Sequence, residues 1–93
     1  MKKTALALAA LMLLTVVAVA AEILMHPVES SLIAKAGYDA ETQTLAIQLV
    51  NSSDVYNYQG VPQDIYDGFL AAESKGSYYV STIKAKYPAL KSE

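Results

Sequence analysis

The stretch Val55-Tyr56-Asn57-Tyr58-Gln59-Gly60-Val61-Pro62 marks the change from strands to helices in this chain. Its first residues are rich in Val and Tyr, which suit the half-buried surface of a sheet. Gly60 interrupts the strand, and Pro62 suits the first position of a helix because its missing N–H would have no partner there. The stretch therefore predicts a last strand that runs into a first helix.

The chain before this stretch has the patterns of two further strands. Thr44 to Val50 alternates apolar and polar residues, which is the period-two signature of a sheet with one buried face. Ser30 to Tyr38 alternates less regularly, and the polar segments 39–43 and 51–54 have the length of hairpin connections. The three runs predict an antiparallel meander. Three alternate residues would form its buried face: Leu45, Ile47 and Leu49.

Beyond Pro62 the apolar residues recur at helical spacing. Gly76, a residue type that commonly ends helices, would close a first helix, and Ser77 is placed to cap a second one that Pro88 would end. The sequence therefore predicts an α+β domain in which two short α-helices pack on one face of a three-stranded antiparallel β-meander. Three helix residues are predicted to complete the core: Ile65, Phe69 and Ile83.

Residues 1–21 have the pattern of a secretory signal peptide. Lys2 and Lys3 precede an apolar run, and Ala18-Val19-Ala20 supplies the small residues that signal peptidase reads. The run is shorter than the ~20 residues of a membrane span, so we predict cleavage after Ala20 or Ala21 with no span left in the mature protein. The protein would then be exported to the periplasm or the extracellular space.

Composition limits what the remaining chain can be. Beyond residue 21 it has 5 Lys, no Arg and 9 acidic residues, and it has no Cys. Its stability therefore depends on its core, which at this size rarely supplies more than ~3–5 kcal/mol. The sequence divides into a lead-in over residues 22–27, one domain over residues 28–88 and a tail over residues 89–93.

Several short segments together resemble the KTSC domain family. They are Val28–Ile33, Gly37–Asp39, Val55–Tyr58, Val61–Pro62, Ala72–Gly76 and Tyr87–Pro88, with Ile83. That family is named after the C-terminal extension of some lysyl-tRNA synthetases and also occurs as small bacterial proteins. The resemblance implies a domain without an established function, for which RNA binding has been suggested. This chain departs from the family's pattern in two places, since it has no Arg in the last helix and has Ser52-Ser53 in place of a turn Gly.

Catalysis and metal binding have little support in the sequence. The single His, His26, precedes Ser30 and Ser31 by four and five residues, which does not indicate a Ser-His-acid arrangement. The two hydroxyls are instead expected to bond backbone groups at the start of a strand. His26 and Glu29 supply two possible ligands, whereas zinc needs three or four. We therefore predict that the protein is not an enzyme and holds no cofactor or metal.

Two groups of residues are candidates for a binding surface. Tyr56 and Tyr58 project to the same face of a strand, so they form either an open platform for stacking bases, sugars or peptide side chains or part of the core and its rim. The chain from Ser74 to Ser92 has four Lys and no acid, which indicates either an anion-binding face or a solvated helix face. The candidate binding surface comprises Tyr56, Tyr58, Lys75, Tyr79, Lys84 and Lys86.

The leading hypothesis is a non-catalytic binding or interaction module in the bacterial envelope. Its partner would be an unknown envelope protein or an anionic polymer. The alternative is an RNA-binding domain, as suggested for the family. We disfavour RNA because Arg, the residue that makes most bidentate contacts with phosphates and bases, is absent.

Overall fold

The computed structural model describes residues 23–92, which form one five-stranded antiparallel sheet and a layer of helices. The strands are β1 (His26–Pro27), β2 (Ile33–Asp39), β3 (Thr44–Leu49), β4 (Val55–Tyr58) and β5 (Ala89–Lys91), and they lie in the sheet in chain order. The helices are α1 (Gln63–Ala71) and α2 (Lys75–Tyr78), and α2 continues into a π-helical segment, Tyr79–Lys84. The predicted α+β class is confirmed.

The prediction of three strands is wrong, because a short strand pairs with each side of the meander. β1 lies in the predicted lead-in and pairs with β2, while β5 lies in the predicted tail and pairs with β4. Backbone bonds extend the second pairing at both ends, from the Gln59 N–H to the Pro88 carbonyl at 2.9 Å and from the Ser92 N–H to the Val55 carbonyl at 2.7 Å. The two added strands therefore cover backbone groups of β2 and β4 that would otherwise be exposed edges.

An irregularity in β2 explains its imperfect alternation. The register against β3 shifts between Ile33 and Lys35, so Ala34 is an extra residue in the strand. Ile33 and Ala36 are both buried in the core, although residues three apart on a regular strand point to opposite faces. The bulge therefore brings both side chains to the side of the helices.

The core lies between the helices and one face of the sheet. Phe69 from α1 and Ile83 from the π-helical segment pack with the fully buried Leu45 and Ile47 of β3. Four of the six predicted core residues are thus confirmed as fully buried. The other two, Leu49 and Ile65, pack against the cluster and are partly buried. Of the five further buried members, Tyr58 had core or rim as one of its two alternatives, and the sequence did not assign the other four to this core: Ile33, Ala36, Val61 and Tyr79.

The predicted boundary between the two helices is wrong. α1 ends with Ala72 as its C-cap, and Ser74 caps α2 by accepting the N–H of Ser77 at 3.2 Å. Gly76 lies inside α2, where a Cβ would come within 3.2 Å of the Cβ of Leu32. The glycine therefore permits a close approach between α2 and the segment before β2, rather than ending a helix.

The opposite face of the sheet is partly covered by the segment that precedes β1. Gly37 is buried in β2, and a Cβ there would overlap the carbonyl oxygen of Leu24 and lie 2.9 Å from Cγ2 of Ile23. Ala46, which is opposite Gly37 on β3, is 1% exposed. The two small residues thus leave a slot in which the segment lies.

Gly37→Ala should cost about 1 kcal/mol of unfolding free energy, at the lower end of the range for overpacked sites because the short segment before β1 can lift away. Urea unfolding measures this cost, and hydrogen exchange should quicken at the amides of residues 23–25. Ser53→Ala, an exposed turn substitution, is the control and should change stability by less than ~0.5 kcal/mol. A Gly37→Ala protein with unchanged stability and exchange would contradict the close approach.

The predicted signal peptide and its cleavage sites lie outside the described residues. Among residues 23–92, no helix combines the length and the apolar composition that crossing a membrane requires. The same residues contain no group of three or more His, Cys, Asp or Glu side chains arranged to hold a metal ion.

Candidate functional site

An open cleft of about 650 Å³ lies between two segments of the chain. One wall is residues 29–32, which lead into β2. The other is residues 73–77, which comprise the end of the α1–α2 connection and the first turn of α2, with Val80 beside them. Sites for small ligands typically enclose ~300–1,000 Å³. The cleft is therefore large enough to hold a small molecule or a short peptide segment.

Ser30 fixes the first wall. Its Oγ accepts the backbone N–H groups of Leu32 and Ile33, each at 3.1 Å. The prediction that a Ser hydroxyl bonds backbone groups at the start of a strand is confirmed at this position. Ser31 is exposed on the same wall, so its hydroxyl can meet a ligand without disturbing the turn.

Ser74 and Lys75 fix the second wall. Besides capping α2, the Ser74 hydroxyl donates to the Ser77 hydroxyl at 3.0 Å. The Lys75 ammonium donates to the carbonyl of Ala72 at 3.3 Å. Because Ala72 is the C-cap of α1, the positive charge lies at the negative end of the helix dipole. Lys75 therefore stabilises the end of α1 while it lines the cleft.

The two walls meet at Gly76. A Cβ at this position would lie 3.6 Å from the Oγ of Ser30, in addition to its tight approach to Leu32. A larger side chain would push the walls apart. The shape of the cleft therefore depends on a glycine in one wall and a hydroxyl turn in the other.

His26 takes no part in this cleft. It lies in β1, is exposed, and is not among the lining residues. Ser30 and Ser31 therefore have no imidazole beside them in the described structure. The arrangement suits binding through hydroxyl and carboxylate groups.

The tyrosines of the predicted binding surface belong mainly to the core. Tyr58 is 4% exposed and Tyr79 is 2% exposed. Their hydroxyls hydrogen-bond to each other, and their rings meet edge to face with centroids 5.6 Å apart. Tyr56 is partly buried against the same cluster. The core-or-rim alternative is thus confirmed for the Tyr56 and Tyr58 pair, because the helices cover that face of the sheet and leave no open platform.

The lysines of the predicted surface do not form one patch with the tyrosines. Lys75 lines the cleft, whereas Lys84 and Lys86 are exposed around the end of the π-helical segment. Lys91, in β5, forms a salt bridge with Asp54 at 3.6 Å. The predicted anion-binding face is therefore reduced to Lys84 and Lys86, with Lys75 in a separate setting.

Burial changes the acidity of several tyrosines. It raises the pKa of the Tyr79 hydroxyl, and the hydrogen bond with Tyr58 raises that pKa further. The pKa values of Tyr38 and Tyr78 are also raised, chiefly by burial. These two hydroxyls donate to backbone carbonyls of the helical layer, Tyr38 to Val61 at 2.5 Å and Tyr78 to Ile65 at 2.9 Å.

The raised pKa values predict that the unfolding free energy falls as the pH rises above about 10. The fold holds these phenols protonated, so the unfolded chain loses its protons first. Their contribution is complete below the unfolded pKa and is lost as the pH rises through the folded pKa values. Urea unfolding across this pH range measures the decline in unfolding free energy. Tyr79→Phe should make the decline less steep, because it removes one of the titrating hydroxyls. Stability that stays constant to about pH 11 would contradict the prediction.

The geometry defines a class of protein: a small α+β domain with one layer of helices on an antiparallel sheet. A family model described as the KTSC domain matches residues 29–87, and the chain belongs to that family. A protein from Tsukamurella paurometabola is 41% identical over 66 residues, which are 71% of this chain and 97% of the relative. The crystal structure of a KTSC domain protein from Yersinia pestis is 35% identical, has a TM-score of 0.72, and covers 77% of this chain and 100% of that one.

The predicted resemblance to the KTSC family is thus confirmed, but the sequence did not single out the cleft. Glu73, Ser74 and Ser77 received no functional interpretation. One feature of the sequence did point to the cleft. Both walls come from segments that carry the family resemblance, Val28–Ile33 and Ala72–Gly76, and the fold brings these two together.

Proposed function

We propose that this KTSC-domain protein is an exported, non-catalytic binding module whose ligand occupies the cleft. The observation that carries the proposal is the cleft itself, in which two segments distant in sequence meet around about 650 Å³. Its lining combines polar and apolar surface, with serine hydroxyls on both walls and a carboxylate on each. Such a surface recognises a ligand by hydrogen bonds and charge.

The two walls support the proposal because their local bonds hold them in place before any ligand arrives. Ser30 ties the first wall through two backbone N–H groups, and Ser74 ties the second through the N–H of Ser77. A site that is ordered in advance loses less conformational entropy on binding. Export is supported by the signal-peptide pattern at the start of the chain.

Site-specific photo-crosslinking in cells tests the proposal. A photoreactive amino acid is placed at Ser31, which is exposed in the cleft, and separately at Ser53 and Lys84, which are exposed elsewhere. We expect light-dependent adducts in the exported fraction from position 31 and not from position 53. Equal adducts from positions 31 and 53, or adducts from position 84 alone, would contradict a cleft-centred function.

Export has its own test. Protein recovered from outside the cytoplasm is expected to begin at Ala21 or Glu22, because the small-residue site follows the apolar run. N-terminal sequencing gives the answer directly. Protein that begins at Met1 and fractionates with the membrane would instead identify the segment as an anchor.

RNA binding, the alternative, is expected to be weak and sensitive to salt. Two exposed lysines, Lys84 and Lys86, give a log–log slope of affinity against salt near −1.4, since each contact with a single strand contributes ~0.7. Titration with short RNA measures the slope, and Lys84→Gln with Lys86→Gln should flatten it. If the parent protein binds RNA with sub-micromolar affinity at physiological salt and the double variant does not, RNA binding becomes the leading hypothesis.

A further inference from the structure

The cleft carries two carboxylates that have no cationic partner in the described part of the chain. Glu29 and Glu73 are both exposed, one on each wall. Within residues 23–92, the one salt bridge joins Lys91 to Asp54. The carboxylates therefore face the space between the walls with their charges unpaired by this segment.

Lys75 does not cancel these charges. Its ammonium donates to the Ala72 carbonyl at the C-terminal end of α1, where the helix dipole amounts to about half a negative charge. The N-terminal end of α2, where the helix dipole has the opposite sign, lies on the same wall, so the two helix ends offset each other. The lining then has two carboxylates and one ammonium, a negative formal charge that favours a cationic group between the walls.

The rest of the lining adds hydrogen-bonding groups and one apolar contact. Ser31 and Ser77 are exposed on opposite walls, and their hydroxyls can accept from an ammonium or a peptide N–H and donate to a peptide carbonyl. Val80 is 49% exposed beside them. An aliphatic stem that ends in a cation, next to a peptide backbone, matches each of these groups.

Building on the proposed function, we infer that the cleft binds a short peptide segment with a cationic side chain, Lys or Arg. Glu29 and Glu73 hold the cation, the serines meet the peptide backbone, and Val80 covers the aliphatic stem. The volume of about 650 Å³ exceeds that needed by a single amine. The openness of the cleft to solvent allows a peptide chain to enter and leave.

A spectroscopic titration tests the inference. Isotope-labelled protein, recovered after expression of the full chain, is titrated with three blocked tripeptides: acetyl-Ala-Lys-Ala-amide, acetyl-Ala-Gln-Ala-amide and acetyl-Ala-Glu-Ala-amide. The Lys peptide is expected to shift the amide resonances of residues 29–32 and 73–77 in a saturable way. It should bind about fivefold more tightly than the Gln peptide, as expected for exposed charge pairs. Its affinity should fall as salt is added, because salt screens exposed charges.

Matched variants identify the groups that recognise the cation. Glu29→Gln and Glu73→Gln should each weaken binding of the Lys peptide about fivefold. Glu41→Gln makes the same charge change at an exposed position in the turn between β2 and β3 and should leave binding unchanged. All three positions are exposed, so unchanged resonances elsewhere in the spectrum will confirm that the fold is kept.

The outcomes separate this inference from the proposed function. If the Gln or Glu peptide binds in the cleft as tightly as the Lys peptide, the cationic ligand is overturned while the cleft remains a binding site. Equal binding by the Gln variants and the parent protein also overturns the role of the carboxylates. If no peptide shifts the cleft resonances, the peptide inference fails, and the in-cell crosslinking decides the proposed function independently.

Discussion

Phe69→Ala is expected to leave the protein largely unfolded at room temperature. Phe69 is fully buried, and its ring lies between Tyr66 and Tyr78 with centroids 6.5 and 6.4 Å away. Truncating a buried Phe typically costs about 3–5 kcal/mol, since it loses burial and leaves a cavity. A core of this size supplies about the same total, so one substitution removes most of the stability.

The neighbouring residue gives the control for this experiment. Leu70 lies on the same helix and is 45% exposed, so Leu70→Ala should change stability only slightly, because Ala is a strong helix former. Thermal unfolding followed by circular dichroism compares the two variants with the parent. If the Phe69→Ala protein had the same melting temperature as the Leu70→Ala protein, the assignment of the core would be contradicted.

The second large effect is expected at the buried tyrosine pair. Tyr58→Phe or Tyr79→Phe removes one hydroxyl and leaves the other buried without its partner, at a cost of about 1–3 kcal/mol. Removing both hydroxyls should be nearly neutral, because the edge-to-face packing of the rings is kept and no buried polar group remains.

A double-mutant cycle measures this coupling directly. Urea unfolding of the parent, both single variants and the double variant gives four free energies of unfolding. We expect the double variant to be more stable than either single one. Single costs that simply add in the double variant would show that the two hydroxyls do not depend on each other.

Local patterns account for the parts of the fold that were predicted correctly. The alternation from Thr44 to Leu49 specifies a strand with one buried face, and the spacing around Phe69 specifies a helix that covers it. The burial of Leu45, Ile47 and Phe69 follows from those two periodicities, and the burial of Ile83 follows from the helical spacing beyond Ser77. The family resemblance depended on residues along most of the same domain.

The errors arise where structure depends on contacts between distant residues. β1 and β5 have two and three residues, too few for any periodicity, and they are strands because β2 and β4 offer open edges. Glycine commonly ends helices, but Gly76 lies inside α2 and is required for the close approach of α2 to Leu32. Nothing in the sequence from Tyr79 to Lys84 distinguished a π-helical segment from an α-helix.

The candidate site was missed for the same reason. The sequence left Tyr58 open between a stacking platform and the core, and it did not predict that the hydroxyls of Tyr58 and Tyr79 pair there. The cleft walls lie far apart in the chain, and neither wall alone has a sequence that indicates a binding site. The lysines were grouped by their closeness in sequence, whereas the fold separates Lys75 from Lys84 and Lys86.

Hydrogen exchange of the protein, with and without a soluble extract of the native envelope, tests the central claim most directly. Both states are compared amide by amide across residues 23–92. We predict slower exchange at residues 29–32 and 73–77 when the extract is present, and no change in the turn at residues 50–54. Slower exchange confined to the end that carries Lys84 and Lys86, with the cleft walls unaffected, would contradict a function centred on the cleft.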